Sequence, residues 1–119
     1  MPQYLITIQL PDNYEPSVED EAMLRDMQAL GEEMEAAGVI TKFAGGLMPA
    51  SNAKSLRFQP NGDVVITDGP YVEAKEHVGG FSILECADMD EALACARKGA
   101  KACRASGEVR EIFFKPSTD

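Results

Sequence analysis

The chain is poor in the residues that most often carry chemistry. Its 119 residues include one histidine, His77, and three cysteines, Cys86, Cys95 and Cys103. A lone imidazole and scattered thiols do not make a zinc spacing. No D-x-D-x-D-G calcium loop, G-x-S-x-G elbow, P-loop lysine or G-x-G-x-x-G fingerprint is present either. No metal and no organic cofactor is therefore expected. An odd number of thiols without close pairing points to reduced cysteines in a reducing compartment. Cys95 and Cys103 fall on an alanine-rich helical stretch, where small thiols are structural. Bases are also scarce, 11 against 20 acids, for a net charge of −9. That balance argues against nucleic acid and anionic membranes, which need a basic face. Long apolar runs are missing too, and none approaches the roughly 18 residues of a membrane span. The segment Met1-Pro2-Gln3-Tyr4 enters a strand without a signal peptide's basic and apolar regions, so a cytoplasmic protein is expected.

What is present is the composition of a globular protein, 45% hydrophobic and 26% charged. The length fits one domain spanning 1–119, able to bury a core without disulfides or metal. Tyr4–Leu10 alternates, with Tyr4, Ile6, Ile8 and Leu10 on one side, and predicts a half-buried strand. Ser17 reads as a helix N-cap with Asp20 three residues on. Met23, Met27, Leu30, Met34 and Ala37 then form an apolar stripe, ended by Gly38. Those methionines suit core filling first and a pliable pocket second. Val39–Ala44 predicts a second strand, and Gly45-Gly46 after it a strand bend. Lys54–Phe58 and Val64–Thr67 flank Asn61-Gly62, a strong hairpin signal. Phe81–Cys86 predicts another strand. Asp88 caps a second helix with Glu91 at the box position, and its apolar side is Met89, Ala92, Leu93, Ala96, Ala100 and Cys103, mostly small residues that let it lie close to a sheet. Gly99 marks a kink or an early end of that helix. Val109–Phe114 is the closing strand and 115–119 a tail. Strand, helix, strand, hairpin, strand, helix, strand is an α+β arrangement of the ferredoxin-like kind, with an inserted β-hairpin and helices on one face of an antiparallel sheet. The other face, expected to carry Leu5, Thr7, Val65, Thr67, Ser82, Leu84, Ile112 and Phe114, would be bare. A second copy is its simplest cover, so a homodimer is expected.

The polar stretch Thr67–Phe81 is where a site is expected, since loops held between strands commonly carry chemistry. Asp68, ahead of Gly69-Pro70, either starts the turn by accepting backbone N–H bonds or serves as an acid or base. Lys75 either pairs with Glu73 or Glu76 or holds an anionic group. His77 is either a loop or interface residue or a proton shuttle. Asp68 and His77 are thus the catalytic candidates. Gly69, Pro70, Glu73, Lys75 and Glu76 are the candidates for binding a small-molecule ligand.

Thr67-Asp68-Gly69-Pro70-Tyr71-Val72-Glu73-Ala74-Lys75-Glu76 resembles the "DGPF" signature of the YCII-related proteins, with Tyr71 in place of the usual phenylalanine. Val78-Gly79-Gly80-Phe81, Asp88–Leu93, Ala37-Gly38-Val39 and Val109–Ile112 resemble the same family, so the likeness covers nearly the whole chain. It implies a dimeric α+β barrel type of ferredoxin-like domain, of bacterial origin and with no assigned activity. Some relatives are proposed to use a histidine–aspartate pair with the histidine on the first helix. Here that stretch carries Gln28, the aspartate corresponds to Asp68, and His77 stands where glutamine is usual. The family also resembles accessory proteins found beside extracytoplasmic-function sigma factors. The resemblance implies a ligand- or partner-binding module in sigma-factor or stress regulation. The alternative is a cofactor-independent isomerase or lyase that transfers a proton with Asp68 as acid/base.

The purified protein is expected to carry no metal and no chromophore. Elemental analysis and an absorption spectrum check this, and stoichiometric zinc or a flavin band would overturn it.

Overall fold

Alternating apolar residues put every second side chain of Tyr4–Leu10 on one side of a strand, and that strand, β1 (Gln3–Pro11), is one of the two inner strands of the main sheet. The computed structural model describes residues 1–11, 14 and 20–113. β5 (Glu76–Glu85) and β6 (Ser106–Ile112) flank β1, both antiparallel to it, and β2 (Ile40–Gly46) extends the sheet beyond β5. The order β2-β5-β1-β6 is the one that two split β-α-β units produce, with α1 (Glu21–Ala36) and α2 (Met89–Cys103) as their helices. The chain is thus α+β, ferredoxin-like in its sheet order, with both helices on one face.

The hairpin β3 (Lys54–Phe58) and β4 (Val64–Asp68) does not join that sheet. It forms its own two-stranded ladder, so the antiparallel strands divide into a sheet of four and a sheet of two. The Asn61-Gly62 turn closes it as expected: the Asp63 N–H donates to Asn61 Oδ1 at 2.9 Å and the Gln59 N–H to the Asp63 carbonyl at 2.8 Å. The radius of gyration is 16.4 Å, against about 13.5 Å for a compact chain of this length.

The strand after the hairpin is longer than expected, starting at Glu76 rather than Phe81. Its first residues look polar, yet β1 runs on to Pro11 and pairs Leu10 with His77 and Pro11 with Glu76. The register slips between Ile8↔Gly80 and Gln9↔Val78, leaving Gly79 as an extra residue. A glycine pair lets the strand bulge there and continue. Gly45 likewise stays in the ladder, opposite Phe81, rather than bending the strand.

The helix ends follow the capping rules. The expected cap Ser17 and the end of the last strand at Phe114 lie outside the described residues. α1 is capped by Asp20, whose Oδ1 accepts from the Met23 N–H at 2.8 Å, and Gly38, at φ +85°, follows its end. Asp88 caps α2 by accepting from the Glu91 N–H at 2.9 Å, while Glu91 accepts from the Ala87 N–H at 2.8 Å. α2 runs through Gly99 to Cys103 and stops at Arg104, which is left-handed at φ +54°. An arginine tolerates that conformation poorly, but its guanidinium is used there, donating to the Ala102 carbonyl and to Asp26 of α1.

Tyr4, Val39, Leu84, Cys86 and Ala92 form the buried cluster, ringed by Ile6, Met34, Met89, Cys95 and Val109. Burial pushes the Tyr4 phenol and the Cys86 and Cys95 thiols above their ordinary pKa values. Those two thiols therefore stay protonated near neutrality, as structural cysteines do. Tyr4 pairs with Leu84 and Ile6 with Ser82, so Ser82 and Leu84 lie on the helix side. That corrects their expected place on the bare face, and Val65 and Thr67 belong to the separate hairpin. The pairs Thr7↔Phe81, Leu5↔Ile83 and Phe43↔Ile83 put Leu5, Thr7, Phe43, Phe81 and Ile83 on the uncovered side, where Phe43 stacks on Phe81 at 5.1 Å. One register step decides the face, because side chains alternate.

Gly107 packs against β1 so closely that a Cβ there would stand 1.9 Å from the Thr7 carbonyl oxygen, a backbone atom that cannot turn aside. Gly107→Ala is expected to destabilise the fold by about 2 kcal/mol or more, on the scale of overpacked sites. Gly31→Ala, with nothing within 4 Å, is expected to be neutral or stabilising, as alanine favours a helix. Urea unfolding of the two variants checks this, and equal midpoints would contradict it.

Candidate functional site

Two cavities meet at the end of the sheet where β1 finishes and β5 begins. The larger, about 820 Å3, lies between the covered face of the sheet and the two helices. Met23, Met27, Leu30 and Met34 line it from α1, Ile6, Ile8 and Leu84 from the sheet, and Ala96 and Ala100 from α2. The methionine stripe thus borders a cavity, the second of its two sequence readings, although Met23 is buried and Met34 packs on the core. The cleft exists because α1 packs mainly on α2. Leu30 lies against Gly99, where a side chain would stand only 3.8 Å away. Ion pairs Lys98–Glu33 and Arg104–Asp26 tie the two helices together, and the Glu33 carboxylate raises the Lys98 pKa.

The smaller cavity, about 220 Å3, is lined by Tyr14, Leu47, Met48, His77 and Val78 among others. It shares Leu10, Tyr14, Gly46 and Gly79 with the larger one. The Leu47 N–H donates to the Gly79 carbonyl at 2.8 Å and holds the β2 exit against the bulge. His77, half-buried in the β5 ladder opposite Leu10, is the candidate residue that reaches a cavity.

Asp68 stands elsewhere, at the base of the hairpin. Its side chain is 87% exposed and pairs with Lys54, the residue opposite it in the ladder. The turn that follows is held by other groups. The Gly69 N–H donates to the Ala53 carbonyl at 2.8 Å, and the Ser55 hydroxyl to the Gly69 carbonyl at 2.7 Å. Ser55 is 5% exposed, the one buried polar side chain among the described residues. Arg57 donates to the Tyr71 carbonyl at 3.0 Å, and its guanidinium lies 4.6 Å from the Tyr71 ring centroid. Asp68 therefore bonds Lys54 and not His77. Glu73, Lys75 and Glu76 are exposed and Pro70 half-buried. Gln28, on the stretch where the resemblance places a histidine, is exposed and bonds Glu32 at 3.5 Å. Among the described residues no group of three or more His, Cys, Asp or Glu is placed to hold a metal ion. None of their helices is long and apolar enough to cross a membrane.

Sequence reasoning did not single out Tyr14, Leu47, Met48, Ser55 or Arg57. Tyr14, Leu47 and Met48 lie in connections without periodicity. Ser55 and Arg57 act through backbone atoms across the hairpin, which no spacing announces.

The model of the YCII-related domain matches residues 3–114. An uncharacterized protein of Rhizobium meliloti (strain 1021) is 38% identical over 101 residues, covering 82% of this chain and 80% of its own length.

Asp68→Asn is expected to cost less than about 1 kcal/mol, because an exposed ion pair contributes little and the turn hydrogen bonds are made by Ala53 and Ser55. Ser55→Ala should cost more, about 1–3 kcal/mol, since it takes the buried Ser55 hydroxyl from the half-buried Gly69 carbonyl that accepts from it. Thermal melts of both variants decide the order, and a larger loss for Asp68→Asn would return the turn to the aspartate.

Proposed function

Because the chain belongs to the YCII-related domain family, we propose that it is a small one-domain binding module that works as a homodimer and holds a small molecule with an apolar body under α1. The observation that carries this reading is the cleft of about 820 Å3 between the methionine stripe and the sheet. Ligand sites are typically concave, largely apolar and of this size, with a few polar groups to orient the guest. Methionines suit such walls because unbranched thioether chains adapt to varied shapes. His77 and Tyr14 line the smaller cavity, which supports a role in meeting a polar end. The connection carrying Gly69, Pro70, Glu73, Lys75 and Glu76 leads directly into His77, which supports its role as a polar rim.

The uncovered sheet face supports the homodimer. Leu5, Phe81 and Ile83 lie there with Phe43, itself 50% exposed. Monomers rarely leave a contiguous apolar patch larger than a few hundred Å2 in water. Acidic net charge and an odd number of cysteines support a cytoplasmic setting. A role in sigma-factor or stress regulation suits a module that responds to a small apolar signal. The enzymatic alternative requires an acid or base on the cleft. The Asp68 carboxylate, in solvent against Lys54, favours binding over proton transfer.

The neutral fluorescent probe N-phenyl-1-naphthylamine is expected to bind with one site per chain. Ala96→Phe, which fills the cleft from α2, should weaken it about tenfold or more without lowering the melting temperature. Unchanged affinity in a folded variant would remove the cleft as the site. Light scattering at micromolar concentration is expected to give a dimer mass, and a monomer mass would remove the homodimer.

A further inference from the structure

The hairpin carries an apolar stripe that stands exposed to solvent among the described residues. Its register sets Leu56 opposite Ile66 and Phe58 opposite Val64, all on one side, with the Lys54–Asp68 pair at the base. Phe58 is 77% exposed, Ile66 67% and Leu56 64%. An isolated two-stranded hairpin is marginally stable in water and gains independent order only when its apolar side is packed. The same chain bears a second uncovered apolar surface, the sheet face around the stacked Phe43 and Phe81.

We infer that the hairpin is an exchanged arm: its stripe of Leu56, Phe58, Val64 and Ile66 lies on the bare sheet face of a second copy, whose own arm returns the contact. This rests on the homodimer proposed above and says which surfaces make it. Reciprocal arm-on-face contacts cover both surfaces in one closed two-fold assembly, which a contact with an unrelated partner would not do. Charge permits the approach. The arm holds two bases, Lys54 and Arg57, and two acids, Asp63 and Asp68, so it is neutral in a chain of net charge −9. The face is close to balanced too, with Lys42 and Arg110 against Glu76, Glu85 and Glu108. The two surfaces are thus those on which the self-repulsion of an acidic protein opposes association least.

Size and reach agree. The arm side chains and Phe43 that such a contact would bury are large and at least half-exposed, from Val64 and Phe43 at 50% to Phe58 at 77%, and large apolar and aromatic side chains form the centre of a stable interface. Each arm strand has five residues and so spans about 17 Å, enough to cross three neighbouring strands at their usual spacing. The arm also leaves the sheet between β2 and β5, the strands that carry Phe43 and Phe81. In a two-fold dimer it starts at the border of the face that the other copy's arm covers.

The test uses Phe58→Lys on the arm and Phe43→Asp on the face, in the full chain, with dimer dissociation measured by sedimentation. Each variant alone should dimerise at least about tenfold more weakly than wild type, the usual loss at a central interface aromatic. Mixed in equal amounts, they should associate again. One arm–face contact is then native, and the other sets the introduced lysine against the introduced carboxylate. Leu56→Lys serves as a second arm variant, and circular dichroism with a melt checks that each chain is folded. A wild-type monomer would remove the homodimer and the arm with it. A wild-type dimer untouched by Phe58→Lys and Leu56→Lys would overturn the arm alone. Dissociation of both variants without recovery on mixing would show that arm and face do not meet, and would overturn it as well.

Discussion

The packing of α1 on α2, rather than flat on the sheet, is the constraint from which the rest of the architecture follows. Alanines and Gly99 make the near side of α2 low, so Leu30 of α1 settles against it. The C-terminal half of α1 reaches the core through Met34, while Met27 is left lining a cavity. Exposed ion pairs such as Lys98–Glu33 and Arg104–Asp26 contribute at most about 1 kcal/mol each. They set the relative position of the helices more than their stability. Had α2 carried leucines instead of alanines, α1 would have been pushed to another angle and the cleft given a different shape.

The bulge at Gly79 is the second determinant of the site. An extra residue in β5 re-aims the strand as it passes Gln9, carries His77 alongside Leu10, and brings the Gly79 carbonyl to Leu47. The smaller cavity forms at that junction, next to the larger one. Bulges commonly sit where a strand must redirect a side chain. Here the redirected residue is the lone histidine of the chain.

Two apolar surfaces are left over once the helices are docked, the sheet face around Phe43 and Phe81 and the stripe along the hairpin. Their presence on an acidic chain fits a division of labour. Charge on the remaining surface keeps the protein soluble and resists unspecific association, while neutral apolar regions direct the specific kind. The proposed binding cleft opens on the helix side of the sheet, away from both, so ligand and second copy would occupy separate faces.

Much of the fold was legible in the sequence because it rests on local rules. Alternation in Tyr4–Leu10, Asp88 with Glu91 as a cap, Gly38 after α1 and Asn61-Gly62 between β3 and β4 each act over a few residues, and each stands where expected. The family was legible from the stretch around Asp68-Gly69-Pro70. Tertiary structure alone decided three things. It extended β5 back to Glu76, because a polar segment becomes strand when a long neighbour offers it a ladder. It placed Ser82 and Leu84 on the helix side, because a single step of register exchanges the faces. It separated Asp68 from His77, giving the first to Lys54 at the hairpin base and the second to a cavity. Residues nine apart in sequence come together or stay apart according to how the intervening chain is pinned. Ser55 and Arg57 pin it by donating side-chain hydrogen bonds to the Gly69 and Tyr71 carbonyls, and Ala53 by its own carbonyl, and contacts to backbone atoms carry no signature in the sequence.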